Sequence, residues 1–94
     1  MSVLFVATMQ VKDAQKLADY RKAVGPMVRG LGGELVVKAQ KMVDIKGESA
    51  EGELLIFRFA DEATFRSWWD SPEYAELVAL RDAGADGVYT LFNE

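Results

Sequence analysis

The chain has 94 residues, half of them apolar, which is enough for one small domain with one hydrophobic core. Its net charge of −4 arises from acidic and basic residues mixed along the sequence, so no basic patch for nucleic acid or anionic lipid is present. Cysteine and histidine are both absent, which excludes disulfides, thiolate chemistry and the commonest metal ligand and general base. We therefore expect a single domain over residues 1–94, with no metal, no cofactor, no nucleic acid and no membrane as partners.

The first segment, Val3 to Val11, is rich in β-branched and aromatic residues and predicts a strand that is covered on both faces. No basic segment precedes it, and it is too short for a secretion signal. No apolar run approaches the roughly 20 residues that span a bilayer. These features predict a cytoplasmic protein.

The next segment predicts a helix that begins after Asp13, because apolar residues recur at helical spacing from there to Leu31. The Gly25-Pro26 pair inside this pattern predicts a kink or a break, since proline removes a backbone donor. Gly32-Gly33 is expected to end the helix.

Two further strands are predicted in the middle of the chain. Glu34 to Lys38 alternates between polar and apolar residues, and Met42 to Ile45 is expected to continue this strand beyond a bulge. Lys46 to Gly52 is polar and predicts a loop. Glu53 to Ala60 is the most apolar strand and is expected at the centre of the sheet.

The carboxyl-terminal third predicts a bent helical segment and a last strand. Asp61 begins a short helix that carries Phe65, Trp68 and Trp69 inward. Ser71-Pro72-Glu73 begins a second piece, with serine as the cap, proline at the first helical position and glutamate where the helix dipole favours it.

This second piece is expected to close at Gly84, and Val88 to Phe92 predicts the final strand. The order is then βαββαβ. It predicts an α+β, ferredoxin-like fold, in which a four-stranded antiparallel sheet carries two helices on one face.

Several strands are apolar on both of their faces, whereas two helices can cover only one face of the sheet. Soluble monomers rarely expose so large an apolar patch. A second copy related by a twofold axis would cover the open face by stacking sheet on sheet. We therefore expect a homodimer, in the form of a dimeric alpha-beta barrel.

Aromatic and basic residues supply the candidates for a ligand site. Trp68 and Trp69 with Tyr20 and Tyr74 would suit a flat organic ligand, although helical aromatics at this spacing also serve as ordinary core. Arg81 shares a helical face with Tyr74 and would bind an anion in the crevice between helices and sheet, or extend past it to solvent.

Arg58 interrupts the most apolar strand, so it either lines a site or pairs with a carboxylate such as Asp44 or Glu53. Asp44 and Glu53 also belong, with Glu48 and Glu51, to an acidic patch around the loop. This patch would either hold a cation or form a solvated face. No phosphate loop, dinucleotide fingerprint, nucleophile elbow or metal motif is present.

The chain resembles a family of dimeric alpha-beta barrel proteins, domain of unknown function 1330. The residues that carry the resemblance run through almost the whole chain, and the most specific of them form the run Trp69-Asp-Ser71-Pro72-Glu73-Tyr74, followed by Arg81. The resemblance implies the same fold and dimer. It also implies that a site is formed by the residues that keep the family pattern, which are Tyr20, Trp69, Ser71, Tyr74 and Arg81.

Where members of the family carry an arginine, this chain has Glu53, and it has Arg58 where they carry a glutamate. One interpretation is that the two residues form an exchanged ion pair. Related barrel families include cofactor-independent monooxygenases and isomerases as well as stress-induced proteins, an analogy of fold only.

The sequence thus supports two functions. The first is a site for a small aromatic or carboxylate-bearing metabolite between helices and sheet, either for binding alone or for a cofactor-independent monooxygenase or isomerase. Its candidate residues are Tyr20, Arg58, Trp69, Ser71, Tyr74 and Arg81. The second is a noncatalytic dimeric structural or stress-response module, which predicts a core without a ligand-sized cavity.

Overall fold

The computed structural model describes residues 1–49 and 52–94. Its elements in chain order are β1 (Val3–Val11), α1 (Ala14–Gly30), β2 (Glu34–Gln40), β3 (Glu53–Phe59), α2 (Glu62–Trp69), α3 (Pro72–Ala75), α4 (Val78–Gly84) and β4 (Ala85–Asn93). The four strands pair antiparallel in the order β2-β3-β1-β4. This arrangement confirms the predicted α+β, ferredoxin-like fold. Within the described ranges, no helix is long and apolar enough to cross a membrane.

The core lies between the helices and one face of the sheet. Alternate residues of β1 are buried on this face, namely Val3, Phe5, Ala7 and Met9. They pack in one cluster with side chains from α1, α2 and α3, including Leu17, Tyr20, Val28, Phe65, Trp68 and Tyr74. We call this side of the sheet the helix face.

The predicted helix starts are confirmed by their capping hydrogen bonds. Asp13 accepts from the backbone N–H of Lys16 (3.1 Å), Asp61 accepts from that of Thr64 (2.7 Å), and Ser71 Oγ accepts from that of Tyr74 (3.1 Å). Each cap satisfies a donor that has no partner inside the helix, which typically contributes about 1 kcal/mol.

The sequence predicted a kink or a break at Gly25-Pro26. Helix α1 is continuous through this pair, so the predicted break is wrong. Leu17 and Tyr20 are buried before the proline and Val28 is buried after it. Packing on both sides therefore holds the helix together despite the missing hydrogen bond, because tertiary contacts contribute most of the stability of a helix in a protein.

The predicted strand Met42 to Ile45 is also wrong, since β2 ends at Gln40. The Asp44 carboxylate accepts from Lys41 Nζ (2.7 Å) and from Ser49 Oγ (2.7 Å), which ties the segment into a loop. Local side-chain bonds of this kind compete with strand pairing. The sheet irregularity lies earlier, between Leu35 and Val37, and the loop residues Ala50 and Glu51 lie outside the described residues.

The last strand begins at Ala85, three residues before the predicted Val88. It pairs with β1 over nine positions, from Ala85 opposite Val11 to Asn93 opposite Val3. Backbone pairing with β1 thus extends the strand through Asp86 and Gly87, although Asp and Gly are residue types typical of turns. Gly84 is the last residue of α4, as predicted.

The other face of the sheet, which we call the open face, carries the alternate set of side chains. These include Leu4, Val6, Leu54, Ile56, Val88 and Phe92. Val88 is 61% exposed and Phe92 is 51% exposed. No helix of the described chain packs over these residues, as the apolar pattern of the strands predicted.

Candidate functional site

A cavity of about 480 Å³ lies between α1 and the helix face of the sheet. This volume falls within the range of about 300–1,000 Å³ that is typical of small-ligand sites. Aromatic and aliphatic side chains form most of its wall, including Phe5, Met9, Val24, Leu55, Phe57, Phe59 and Trp68. The cavity therefore suits a flat and largely apolar molecule.

Small residues in the wall leave this space between helix and sheet. Ala7 lies on the central strand β1, Gly25 lies on α1, and Gly33 follows the end of α1. The chain packs closely at Gly33, where an added Cβ would lie 2.5 Å from Val28 Cγ1 and 2.9 Å from the Val28 carbonyl oxygen. The turn from α1 into β2 therefore requires glycine at this position.

Three cationic side chains line the same cavity, namely Arg21, Arg29 and Lys38. Arg21 Nη2 forms an ion pair with Glu53 Oε1 at 2.5 Å, and Glu53 is only 8% exposed. Within the described part of the chain, Arg29 and Lys38 have no salt bridge. The charge around the cavity is thus positive although the whole chain is acidic.

Two buried N–H groups of the cavity wall make no hydrogen bond to any described residue. They are Trp68 Nε1 and Arg21 Nε. A buried donor without a partner typically costs about 1–3 kcal/mol, and few occur in native proteins. Protein atoms therefore cover both groups, and neither N–H is exposed on the surface of the cavity.

A chain of hydrogen bonds connects the cavity wall to Arg81. The Tyr20 and Tyr74 hydroxyl oxygens are 2.7 Å apart, and Arg81 Nη1 donates to the Tyr74 oxygen at 3.1 Å. Tyr20 lines the cavity, whereas Tyr74 lies behind it. Burial, followed by the neighbouring Tyr74, raises the pKa of Tyr20, so this phenol stays neutral throughout the physiological range.

Aromatic rings surround the Arg81 guanidinium. Its Cζ lies 4.9 Å from the ring centroid of Tyr89, 5.2 Å from that of Trp69 and 5.8 Å from that of Tyr74. Cation–π contacts at these distances favour one orientation of the side chain. Arg81 is therefore held in place to donate to Tyr74.

The structure brings four of the six predicted site residues together, namely Tyr20, Trp69, Tyr74 and Arg81, and only Tyr20 of these lines the cavity. Ser71 acts as a helix cap, and its Oγ also donates to the Trp68 carbonyl oxygen at 2.7 Å.

Arg58 lies apart from the others, on the open face. It donates to both carboxylate oxygens of Glu94, at 2.7 and 2.6 Å, and lies 3.6 Å from Glu34. The predicted partners Asp44 and Glu53 are therefore wrong, and so is the exchanged ion pair between Arg58 and Glu53. Glu53 lies on the helix face and pairs with Arg21 because the side chains of residues 53 and 58 point to opposite faces of the strand.

The predicted acidic patch does not assemble among the described residues. Hydrogen bonds from Lys41, and then from Ser49, lower the pKa of Asp44 to about 2, and Glu53 is bound to Arg21. Glu51 lies outside the described residues. In residues 1–49 and 52–94, no group of three or more acidic side chains is arranged to hold a metal ion.

Sequence reasoning did not include Arg21, Arg29 and Lys38 in the site, and it treated Trp68 mainly as core. A signal for the two arginines was present, since Arg21, Gly25 and Arg29 recur every fourth residue and so share one stripe of α1. Nothing in the local pattern of β2 indicates that Lys38 lies on the cavity, because the irregularity before Val37 decides which face it occupies.

A comparison with models of protein families shows which family the chain belongs to. The model of the family described as "Domain of unknown function (DUF1330)" matches residues 2–94. The chain belongs to the DUF1330 family. This confirms the resemblance stated from the sequence. A comparison with curated proteins gives no match.

Solved structures share the fold of this DUF1330 protein. The RPA0582 protein of unknown function from Rhodopseudomonas palustris has a TM-score of 0.86 and 20% identity, over 99% of this chain and 82% of that one. A dimeric ferredoxin-like protein of unknown function from Jannaschia sp. CCS1 has a TM-score of 0.76 and 7% identity, over the full length of both chains.

A third similar structure has a described activity. SnoaB, a cofactor-independent oxygenase from Streptomyces nogalater, has a TM-score of 0.63 and 17% identity, over 99% of this chain and 92% of that one. Identities this low establish a common fold and leave function to be argued from the site.

Proposed function

We propose that this DUF1330 protein binds a small aromatic or carboxylate-bearing metabolite in the cavity between α1 and the helix face. The observation that carries the proposal is the cavity itself, about 480 Å³ in a chain of 94 residues. Domains of this size are normally close-packed, and an apolar cleft with a few polar side chains in its wall is typical of a small-ligand site. A purely structural module would be expected to fill this space with side chains.

The lining supports the same ligand class. Phe5, Phe57, Phe59 and Trp68 supply ring surfaces on which a flat molecule can stack. The uncompensated cations around the cavity, Arg29 and Lys38 among them, favour a negative charge on that molecule.

The binding protein is proposed to act as a homodimer that buries the open face. Val88 and Phe92 are more than half exposed there, and they share that face with Leu4, Val6, Leu54 and Ile56. The similar protein from Jannaschia sp. CCS1 is described as dimeric. Stacking two open faces about a twofold axis would leave both cavities on the outer, helix-covered sides.

The test is a thermal-shift screen of the purified protein against small aromatic and carboxylic metabolites. A ligand at about 100 times its Kd stabilises the native state by about 2.7 kcal/mol. For a domain of this size, that corresponds to a rise of about 10–20 °C in Tm. Tryptophan emission recorded in parallel should change, since Trp68 lines the cavity.

A pair of leucine variants separates the cavity from nonspecific surface binding. Leu35 lines the cavity, whereas Leu31, at the end of α1, does not, and both side chains are partly exposed. Leu35→Trp should reduce the ligand-induced shift by filling the cavity, and Leu31→Trp should preserve it. Absence of a shift across the whole panel, or an undiminished shift in Leu35→Trp, would contradict the proposal.

A cofactor-independent oxygenase or isomerase is the second candidate. SnoaB has such an oxygenase activity on the same fold, and the largely apolar wall of this cavity would lower the polarity around a bound substrate. The measurement is oxygen consumption and ultraviolet absorbance with each compound that passes the thermal-shift screen. Turnover that is lost in Leu35→Trp supports catalysis in the cavity, and binding without turnover supports the first candidate.

A further inference from the structure

Every polar side chain that lines the cavity can donate a hydrogen bond. Those among the described residues are Tyr20, Arg21, Arg29, Lys38 and Trp68. No aspartate, glutamate, asparagine or glutamine of the described residues lines it. Arginine, lysine and the tryptophan indole donate and cannot accept in their ordinary states. Only the Tyr20 hydroxyl can both donate and accept. Whether the site offers donors alone therefore depends on the hydrogen bond that Tyr20 makes with Tyr74.

Counting hydrogens settles what the Tyr20 hydroxyl offers. Tyr20 and Tyr74 carry one hydroxyl hydrogen each, and only one of the two can lie in the 2.7 Å bond between their oxygens. Arg81 is a donor to the Tyr74 oxygen and so accepts neither hydrogen. One hydroxyl hydrogen of the pair is therefore left without an acceptor in this chain of hydrogen bonds.

The position of the two rings indicates which hydrogen this is. Tyr74 is 1% exposed, and its hydroxyl makes no hydrogen bond to a described residue besides those to Tyr20 and Arg81. If Tyr20 donated to Tyr74, the Tyr74 hydrogen would be buried without an acceptor, at a cost of desolvation. The alternative has Tyr74 donating to Tyr20, which leaves the free hydrogen on Tyr20, the one of the two tyrosines that lines the cavity and, at 8%, the more exposed.

We infer that the cavity selects a planar ligand that carries oxyanion or carbonyl acceptors, as aromatic and enolic carboxylates do, and that it binds those oxygens with Tyr20, Arg29 and Lys38. This inference rests on the proposed function and specifies its ligand. Arg29 and Lys38 line the cavity and form no salt bridge among the described residues, which leaves both charged donors for the ligand.

Arg81 acts in this site as a positioning residue. It contacts the Tyr74 ring and oxygen and does not line the cavity. Its donation occupies one lone pair of the Tyr74 oxygen and so favours the arrangement in which Tyr74 donates its own hydrogen to Tyr20. The Arg81 guanidinium therefore does not touch the ligand and influences it only through the hydroxyl groups of Tyr74 and Tyr20.

The test compares four one-ring probes of similar shape by calorimetry, namely benzoate, salicylate, benzylamine and toluene. Benzoate and salicylate should bind at least about tenfold more tightly than toluene, and benzylamine should bind more weakly than toluene. Equal affinities for all four would overturn the inference while leaving a ligand cavity. Failure of all four to bind would overturn it as well, whereas binding of other panel compounds would leave the proposed function in place.

Two pairs of variants test the residue assignments. Tyr20→Phe should lower benzoate affinity about tenfold or more and leave toluene affinity unchanged, because a hydrogen bond to a charged group is lost while the ring remains. The control is Tyr89→Phe, since the Tyr89 hydroxyl is also buried and unpartnered among the described residues but does not line the cavity. Loss of benzoate affinity in both variants or in neither would contradict the role of Tyr20.

For Arg81, a conservative variant distinguishes a positioning role from a general effect on the stability of the protein. Arg81→Met should weaken benzoate binding selectively, and Arg81→Lys, which retains a donor, should restore most of it. If both variants lower benzoate and toluene affinity in parallel, Arg81 has a structural role only and the directed chain of hydrogen bonds is wrong.

Discussion

Gly84, at the end of α4, lies against Leu17 of α1 so closely that an added Cβ would stand 2.7 Å from the Leu17 backbone nitrogen and 2.9 Å from its Cα. The Gly84 carbonyl oxygen also accepts from the backbone N–H groups of Lys12 (2.8 Å) and Asp13 (3.1 Å). The beginning of α1 and the junction of α4 with β4 therefore meet at one point. A side chain at residue 84 would separate them.

Gly84→Ala should accordingly lower the free energy of unfolding by about 1–3 kcal/mol, since the contact is with backbone that cannot rotate away. The measurement is urea unfolding followed by circular dichroism. Gly30→Ala is the matched control, because Gly30 also ends a helix but an added Cβ meets nothing within 4 Å. Gly30→Ala should be neutral or raise the free energy by up to about 1 kcal/mol. Equal effects of the two substitutions would show that the close approach is unimportant.

Replacement of Pro26 by alanine should stabilise the protein. Pro26 lies inside α1 and its side chain is exposed, so the substitution restores a backbone donor without removing core packing. A proline inside a helix costs up to about 3 kcal/mol, and we expect Pro26→Ala to raise the free energy of unfolding by about 1–3 kcal/mol.

The control for Pro26 is Pro72→Ala, at the start of α3, where proline is favoured. This second substitution should give no gain. A decrease in stability in Pro26→Ala would mean that the proline shapes α1 for its contact with the sheet.

The ion pair between Arg58 and Glu94 predicts a specific loss of stability in acid. Hydrogen bonds from Arg58, and then from Ser2, lower the pKa of Glu94 from 4.5 to about 2. A carboxyl group whose pKa is lower in the folded state stabilises that state above the unfolded pKa, and this contribution disappears as the pH falls through the folded value. The window is therefore about pH 4.5 to 2.

The measurement is Tm as a function of pH for the parent protein and for Glu94→Gln. The parent should have the higher Tm at pH 6, and the difference should shrink on acidification through this window. In an Arg58→Gln background, Glu94→Gln should change the acid dependence little. A difference that stays constant down to pH 2 would contradict the ion-pair explanation.

Charge introduced on the open face should prevent self-association without unfolding the chain. Val88 and Phe92 are largely exposed on β4, so glutamate at both positions disturbs little within one chain but places charges in the proposed interface. Val88→Glu/Phe92→Glu should give a monomer by light scattering at micromolar concentration. Leu31→Glu, an exposed leucine at the end of α1, should remain dimeric. A parent protein that is monomeric would refute the dimer itself.

The sequence predicted the elements that depend on local signals. Asp13, Asp61 and Ser71 are capping residues, and the structure places each at the start of a helix. The βαββαβ order follows from the alternation of apolar periodicities, which is also local. The extent of β4 was underestimated because pairing with β1, a contact distant in sequence, extends it through polar residues.

The site was harder to predict because it depends on which face each residue occupies. Arg58 lies between Phe57 and Phe59 on a strand that is apolar on both faces, so nothing in its neighbours shows which side it takes. Pairing with Leu4 and Glu34 places it on the open face. The cavity likewise depends on Ala7 of the sheet and Gly25 of the helix lining the same space, an arrangement that a one-dimensional pattern does not contain.

The packing of Trp68 against Trp69 gives the molecule an intrinsic optical reporter of its tertiary structure. The two indole rings have centroids 5.7 Å apart and planes inclined by 72°, and Phe5 and Tyr74 contact both of them. Two chromophores held this close and at a fixed angle couple their electronic transitions, and the coupling disappears when the rings tumble independently. Near-ultraviolet circular dichroism would therefore distinguish the native core from a collapsed state that keeps its helices and strands but loses fixed packing, without any added label.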